Sequence, residues 1–106
     1  MPKFLLEASY AADGARGILK EGGTSRRDFV QQLVESVGGR LEAFYFAFGE
    51  KDAYVVADLP DASTAAALSL SVSASGAVST KTVVLLTPEE LDQAANKTVD
   101  YRAPGT

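Results

Sequence analysis

Apolar and polar positions alternate along the start of this chain with the period of a strand. The segment Lys3–Tyr10 alternates in part between apolar and polar residues, and we predict a strand there. The next segment, Ala11–Gly23, contains four glycines, and only Ile18 and Leu19 support a helical turn. Because glycine weakens a helix, we expect no more than one turn before residue 24.

A clear helix is predicted next. Ser25 and Asp28 fit a capping box, in which each side chain satisfies a free backbone N–H at the helix start. The pair Gly38-Gly39 ends the helix, because glycine takes the left-handed conformation after the last turn at little cost. Apolar residues recur between these ends at spacings of three and four, on one helix face: Phe29, Val30, Leu33, Val34 and Val37.

Two apolar strands follow and are predicted to form a β-hairpin. A short turn, Gly49–Asp52, separates the strand Leu41–Phe48 from the strand Ala53–Leu59. The first strand is apolar on both faces, so we expect both faces to be covered. Leu41, Ala43, Tyr45 and Ala47 are predicted to point one way, and Phe44, Phe46 and Phe48 the other.

The second half of the chain again places a helix before a strand. Pro60 breaks the preceding strand, and Asp61 is a good N-cap for a helix over Ala62–Gly76. Its small side chains would allow close packing on a sheet, although its serines could instead indicate a linker. The segment Val78–Leu86 is rich in β-branched residues and predicts a strand.

A short helix closes the pattern. Thr87 and Glu90 fit a second capping box, with Pro88 at the first helical position, and the helix is expected to end near Asn96. The polar tail over residues 97–106 is expected to be extended or disordered unless it docks. We predict one domain over residues 1–96.

The order of elements predicts the fold. It reads β-α-β-β-α-β with a short extra helix, which is the order of the ferredoxin-like plait, an α+β fold. We expect a four-stranded antiparallel sheet with both main helices on one face and the strand Leu41–Phe48 at an edge.

Composition then narrows the functions. The 106 residues include 14 acidic and 10 basic side chains, for a net charge of −4, which argues against nucleic acid as a partner. There is no cysteine and no histidine, so thiolate chemistry, an imidazole base and a typical zinc site are excluded, and we expect no metal and no cofactor. No apolar run reaches the ~20 residues of a membrane span. Without a recognisable signal peptide, we expect a cytoplasmic protein that does not bind membranes.

The apolar strands predict self-association. Helices cover only one face of the predicted sheet, and an exposed apolar patch on the other face usually marks a partner surface. The simplest partner is a second copy, which would give a homodimer with a closed, barrel-like core. The alternative is a monomer in which the last helix and the tail fold back over this face.

Several segments, in order over most of residues 3–87, resemble the GYD domain family. They are Thr24–Phe29, Val37–Leu41, the aromatic strand Ala43–Gly49, the turn Gly49–Asp52, Leu59–Asp61 and Ser75–Val78. This family consists of small bacterial and archaeal proteins of largely unknown function. The resemblance implies the fold and a homo-oligomer rather than a reaction.

One position departs from the family pattern. A tyrosine normally precedes the aspartate after the glycine, whereas here Lys51 precedes Asp52 and the nearest tyrosine is Tyr54. A role tied to that tyrosine is therefore not carried over. The family also resembles dimeric α+β barrel proteins that include cofactor-free monooxygenases, muconolactone isomerases and haem enzymes.

Two charged residues are candidates for a site. Arg26 stands in the first turn of the predicted helix, where a cation opposes the helix dipole, and it could bind a carboxylate or a phosphate. The alternative is a surface arginine paired with a nearby acidic residue. Asp52 could position a ligand or act as a base, or it could accept backbone hydrogen bonds in its turn.

Three tyrosines complete the candidate site. Tyr10, Tyr45 and Tyr54 could orient a small aromatic ligand by ring stacking and hydrogen bonding, or they could simply bury their rings in the core or the dimer interface. No catalytic residue is assigned.

Two functions remain open. The first is a homo-oligomeric domain with a small-ligand pocket between sheet and helices. The second is a cofactor-independent oxygenase or isomerase that acts on a small aromatic or polyketide-like substrate, which rests on fold analogy alone. A pocket of at least ~300 Å³ lined by one of these tyrosines would favour the second.

Overall fold

The computed structural model of the protein describes all 106 residues. It contains four strands and four helices. The strands are β1 (Lys3–Tyr10), β2 (Arg40–Phe46), β3 (Ala53–Asp58) and β4 (Val78–Leu85). The helices are α1 (Ala12–Glu21), α2 (Gly23–Ser36), α3 (Ala62–Ala74) and α4 (Pro88–Ala95).

The sheet has the strand order β2-β3-β1-β4, and every neighbouring pair is antiparallel. This is the ferredoxin-like arrangement, so the predicted α+β fold is confirmed, with β2 at an edge. The main core lies between the sheet and helices α2 and α3, where Phe4, Val34, Leu59 and Leu68 are buried together.

Close backbone contact joins β2 to this core. A side-chain carbon at Gly39 would lie 2.6 Å from the Asp58 carbonyl oxygen and 2.8 Å from the Leu59 side chain. Only glycine therefore lets the start of β2 lie this close to the end of β3.

The second half of the chain follows its local signals. Asp61 accepts a 2.8 Å hydrogen bond from the Thr64 backbone N–H, as its predicted N-cap role requires, so α3 is a helix and not a linker. At the start of α4, Thr87 and Glu90 form both hydrogen bonds of the predicted capping box. These short-range predictions are confirmed.

The first half departs from its predictions in two places. Residues 12–21 form a full helix, α1, rather than a single weak turn. The capping box predicted at Ser25 and Asp28 is wrong, because α2 already begins at Gly23 and Gly22 occupies the cap position with a φ of +88°. The predicted end of α2 is confirmed, since Gly38 has a φ of +83°.

A β-bulge near Glu42 changes the faces of β2. Leu41 lies opposite Ala57, and Ala43 lies opposite Val56, so the register shifts by one residue between them. The bulge places Leu41 on the helix-covered face. The prediction that Leu41 shares a face with Ala43 is therefore wrong.

The helix-free face of the sheet is only partly apolar. Its central row crosses all four strands and consists of Ala43, Val56, Leu5 and Val83. The rows on either side are mixed. One contains Tyr45, Tyr54, Glu7 and Lys81, and the other contains Arg40, Asp58, Lys3 and Leu85. We call the four-residue central row the apolar row.

The C-terminal part does not cover this face, because every residue from Pro88 to Thr106 is exposed. The radius of gyration is 16.8 Å, whereas a compact chain of this length would have about 13 Å. Helix α4 and the tail therefore extend from the body of the domain. None of the four helices combines the length and the hydropathy that a membrane span requires.

Candidate functional site

The largest cavity lies on the helix-covered face and has a volume of about 440 Å³. It is bounded by α1 and α2 on one side and by α3 with the start of β4 on the other. Tyr10, Ile18, Phe29, Leu33 and Val72 contribute apolar surface to it. A volume of this order is typical of sites that bind small molecules.

Small residues on both walls keep this cavity open. A side-chain carbon at Gly17 of α1 would meet no atom within 4 Å, although Gly17 lines the cavity. On the opposite wall, Ser71 lies in the Ala/Ser-rich α3 and Ser75 directly follows that helix. The space therefore results from short side chains on two facing helices.

Helix α1 is held in place by its first turn. The Ala11 backbone N–H donates a 2.9 Å hydrogen bond to the Ala77 carbonyl oxygen. A side-chain carbon at Gly14 would collide with that carbonyl oxygen, and only a glycine allows this approach. No residue of α1 is buried, so the helix forms a thin outer wall of the cavity.

Arg26 of α2 is the only cation lining the cavity. Its Nε atom is buried and has no hydrogen-bond partner. Its guanidinium group lies 5.3 Å from the centre of the Phe29 ring, a distance typical of a cation–π contact. The nearby Asp28 carboxylate pairs with Arg27 and not with Arg26, at a distance of 3.1 Å from the Arg27 guanidinium group. Arg26 thus carries an unpaired charge beside an apolar space.

Tyr10 and Asp52 are linked through the backbone. The Tyr10 side chain lines the cavity, whereas its backbone N–H donates a 2.8 Å hydrogen bond to the Asp52 carboxylate. The Asp52 backbone N–H in turn donates to the Ala8 carbonyl oxygen. The Asp52 carboxylate therefore accepts a backbone hydrogen bond from β1 rather than from its own turn, and this bond fixes the end of β1 from which Tyr10 projects.

The other two tyrosines lie elsewhere. Tyr45 and Tyr54 face each other across β2 and β3 on the helix-free face of the sheet. Of the five candidate residues, the structure therefore brings Tyr10 and Arg26 to the cavity, with Asp52 supporting Tyr10 from behind. It does not bring Tyr45 or Tyr54 there.

A charge cluster on the helix-free face is fully paired. The Lys3 ammonium group lies 2.9 Å from carboxylate oxygens of both Glu42 and Asp58, and Arg40 lies 3.1 Å from the other Asp58 oxygen. The hydrogen bond from Lys3, supported by Arg40, holds the pKa of Asp58 below its ordinary value of 3.8. Because each charge has a partner, this cluster has the character of a structural network rather than a ligand site.

This network predicts an acid-sensitive contribution to stability. A carboxylate whose pKa is lowered by folding stabilises the protein above its unfolded-state pKa, and this contribution is lost as the pH falls through the folded-state pKa. We expect the free energy of unfolding to fall less between about pH 5 and pH 2 in Asp58→Asn than in the native protein. Urea titrations over this pH range measure the difference.

A control variant is needed beside Asp58→Asn, because other groups of the protein also titrate in acid. The pKa of Asp61 is lowered by hydrogen bonds from Thr64 and Ser63, so part of the acid loss will persist in Asp58→Asn. Asp61→Asn keeps a good N-cap and should remove only that part. If the free energy of unfolding falls equally with pH in the native protein and in Asp58→Asn, the role given to Asp58 is contradicted.

The sequence patterns did not identify the glycines of α1 or the residue Phe29 as parts of a site. Gly14, Gly17, Ile18 and Glu21 follow one another at helical spacing, which is the signal that places them on one face. No group of three or more acidic side chains is arranged to hold a metal ion.

Comparison with known proteins agrees with this fold. The family model described as GYD domain matches residues 4–95, which include all four helices and, apart from Lys3, all four strands. Searches among curated proteins and among solved structures returned no match. Since the family model covers most of the 106 residues, the chain belongs to the GYD domain family.

Proposed function

We propose that this protein binds a small, largely apolar molecule in the cavity between α1, α2 and α3. The observation that carries the proposal is the 440 Å³ cavity, with an unpaired Arg26 on its wall. An interior usually fills such space with side chains, because protein cores pack closely. Here Gly17 on one wall and Ser71 and Ser75 on the other have side chains too short to fill the space.

Filling the cavity from Gly17 tests this proposal. We expect Gly17→Leu to weaken binding of a neutral aromatic probe, 3-phenylpropanamide, by about 10-fold or more, because the leucine side chain enters the binding space. Ligand-observed NMR measures the affinity.

Gly17→Ala is the matched control. Alanine is too short to fill the cavity, and replacing glycine inside a helix is expected to raise the free energy of unfolding by about 0.5–1 kcal/mol. Binding should be kept in this variant. If the native protein binds no small apolar molecule, or if Gly17→Leu binds the probe as well as the native protein does, the proposal is wrong.

We also propose that the protein is a homodimer built through the helix-free face. The apolar row gives this face a continuous hydrophobic strip, and the adjacent Tyr45 is 71% exposed. Charge does not oppose self-association, because cations and carboxylates on this face balance. The cations are Lys3, Arg40 and Lys81, and the carboxylates are Glu7, Glu42 and Asp58.

A catalytic role is the second candidate. Tyr10 supports it, because its phenol lines a cavity larger than the ~300 Å³ expected of a substrate site. In that case the protein is a cofactor-independent oxygenase or isomerase of a small aromatic or polyketide-like substrate. Conversion of a bound compound to a product, rather than its unchanged release, distinguishes this candidate from a binding protein.

A further inference from the structure

We infer that the ligand of this cavity is an apolar monocarboxylate, whose carboxylate is bound by the guanidinium group of Arg26. This inference rests on the proposed function, since it names the chemical class of the molecule that the cavity would hold.

The buried Nε atom of Arg26 supplies the first argument. A buried N–H group without an acceptor is unfavourable, and the penalty is larger when the group is charged. The chain provides no acceptor for this atom. A carboxylate matches the planar guanidinium group and forms short, charge-assisted hydrogen bonds with it.

The position of the guanidinium group supplies the second argument. It lies over the Phe29 ring at 5.3 Å, and this contact restricts the arginine in the absence of any ion pair. An arginine that is already held against a ring loses less conformational freedom when a ligand binds. The guanidinium group is therefore held in position for an anionic ligand rather than for an ion pair with another side chain.

The remaining surface of the cavity defines the body of the ligand. Tyr10, Ile18, Phe29, Leu33 and Val72 provide aromatic and aliphatic contacts. Such walls favour a hydrophobic body, and an aromatic ring can stack against Tyr10 or Phe29. The ligand is thus amphipathic, with one charged end.

Other charges at the cavity limit the ligand to a single negative charge. Asp13 and Glu21 of α1 also line it, while Arg26 is the only cation there. Asp13 is paired with Arg16, but Glu21 has no ion pair. A second anionic group would meet these carboxylates at short range, so a dicarboxylate or a phosphate ester is disfavoured.

Three probes of one shape test the inference on the full chain. They are 3-phenylpropanoate, its neutral amide 3-phenylpropanamide and the cationic 3-phenylpropylamine. We expect the native protein to bind the carboxylate about 10- to 150-fold more tightly than the amide, the range typical of a hydrogen bond to a charged group. Binding should also shift the Nε–Hε NMR resonance of Arg26, which a contact elsewhere would leave in place.

Two arginine variants localise the effect. Arg26→Gln should bind acid and amide equally, whereas Arg27→Gln removes the neighbouring surface arginine and should bind the acid within about 2-fold of the native affinity. If Arg26→Gln does not fold, Arg26→Lys keeps the charge, lacks the planar guanidinium group and is expected to lose most of the preference for the acid.

The outcomes separate the inference from the proposed function. Suppose that the native protein binds the amide as tightly as the acid and that Gly17→Leu blocks this binding. The cavity would then remain a binding site, but the inference that its ligand is a carboxylate would be overturned. Tighter binding of the amine would also overturn it and would point to Glu21. Absence of binding by all three probes would overturn the proposed function itself.

Discussion

Replacing Leu59 by alanine is expected to lower the free energy of unfolding by about 2–5 kcal/mol. Leu59 is 0% exposed and packs in the main core with Phe4, Val34 and Leu68. Its truncation leaves a cavity that the rigid ends of β3 and β2 cannot close. Since a small domain has a total stability of about 5–15 kcal/mol, this variant should lose a substantial part of its stability. Urea denaturation followed by circular dichroism measures the loss.

Leu70→Ala is the matched control, because it makes the same chemical change at a position that is 71% exposed on α3. We expect it to change the free energy of unfolding by no more than about 0.5 kcal/mol. Similar losses in the two variants would mean that the core is not centred on Leu59.

Sedimentation is expected to show a dimer of the native protein at micromolar concentration and a monomer of Val56→Lys. Val56 lies in the apolar row, on a central strand of the sheet. A lysine there would place an unpaired charge inside the proposed interface, and we expect association to weaken by about 100-fold or more. Circular dichroism should show an unchanged fold, because the substituted side chain points away from the core.

Gln32→Lys makes the same change in charge on the exposed side of α2 and should remain dimeric. A native protein that sediments only as a monomer would refute the dimer. So would a Val56→Lys variant that associates like the native protein. Because the cavity lies on the opposite face of the sheet, neither result affects the proposed ligand site.

Local signals predicted those elements whose ends are determined by their own residues. The cap at Asp61 and the capping box of Thr87 and Glu90 involve contacts three residues apart, and the structure contains both. The alternating strands likewise appear in the predicted order, which is why the fold class could be derived from the sequence.

Elements determined by distant contacts were not predictable in this way. The glycines of α1 weaken a helix by intrinsic propensity, but Gly14 is needed where α1 meets the Ala77 backbone, and Gly23 lies where α2 meets the Phe46 ring. Neither neighbour is visible in the local sequence. The bulge at Glu42 also follows from pairing with β3 rather than from the sequence of β2.

The candidate site was predictable only as separate residues. Arg26 was a candidate because a cation in the first helical turn opposes the helix dipole, and Tyr10 because its ring and phenol could orient an aromatic ligand. Their meeting at one cavity depends on how α1 and α3 lie over the sheet. The alternation of side chains along a strand places Tyr45 on the same face as Ala43. Because both faces of β2 are apolar, this alternation could not predict which face the helices would cover.

The exposed position of α1 has a consequence for how molecules reach the interior. This helix contributes no buried residue to the core, and a single glycine, Gly22, connects it to α2. Displacing it exposes little apolar surface and leaves every strand pairing intact. If the protein binds a small molecule as proposed, we expect exchange of that molecule to depend on local opening of this outer wall rather than on global unfolding.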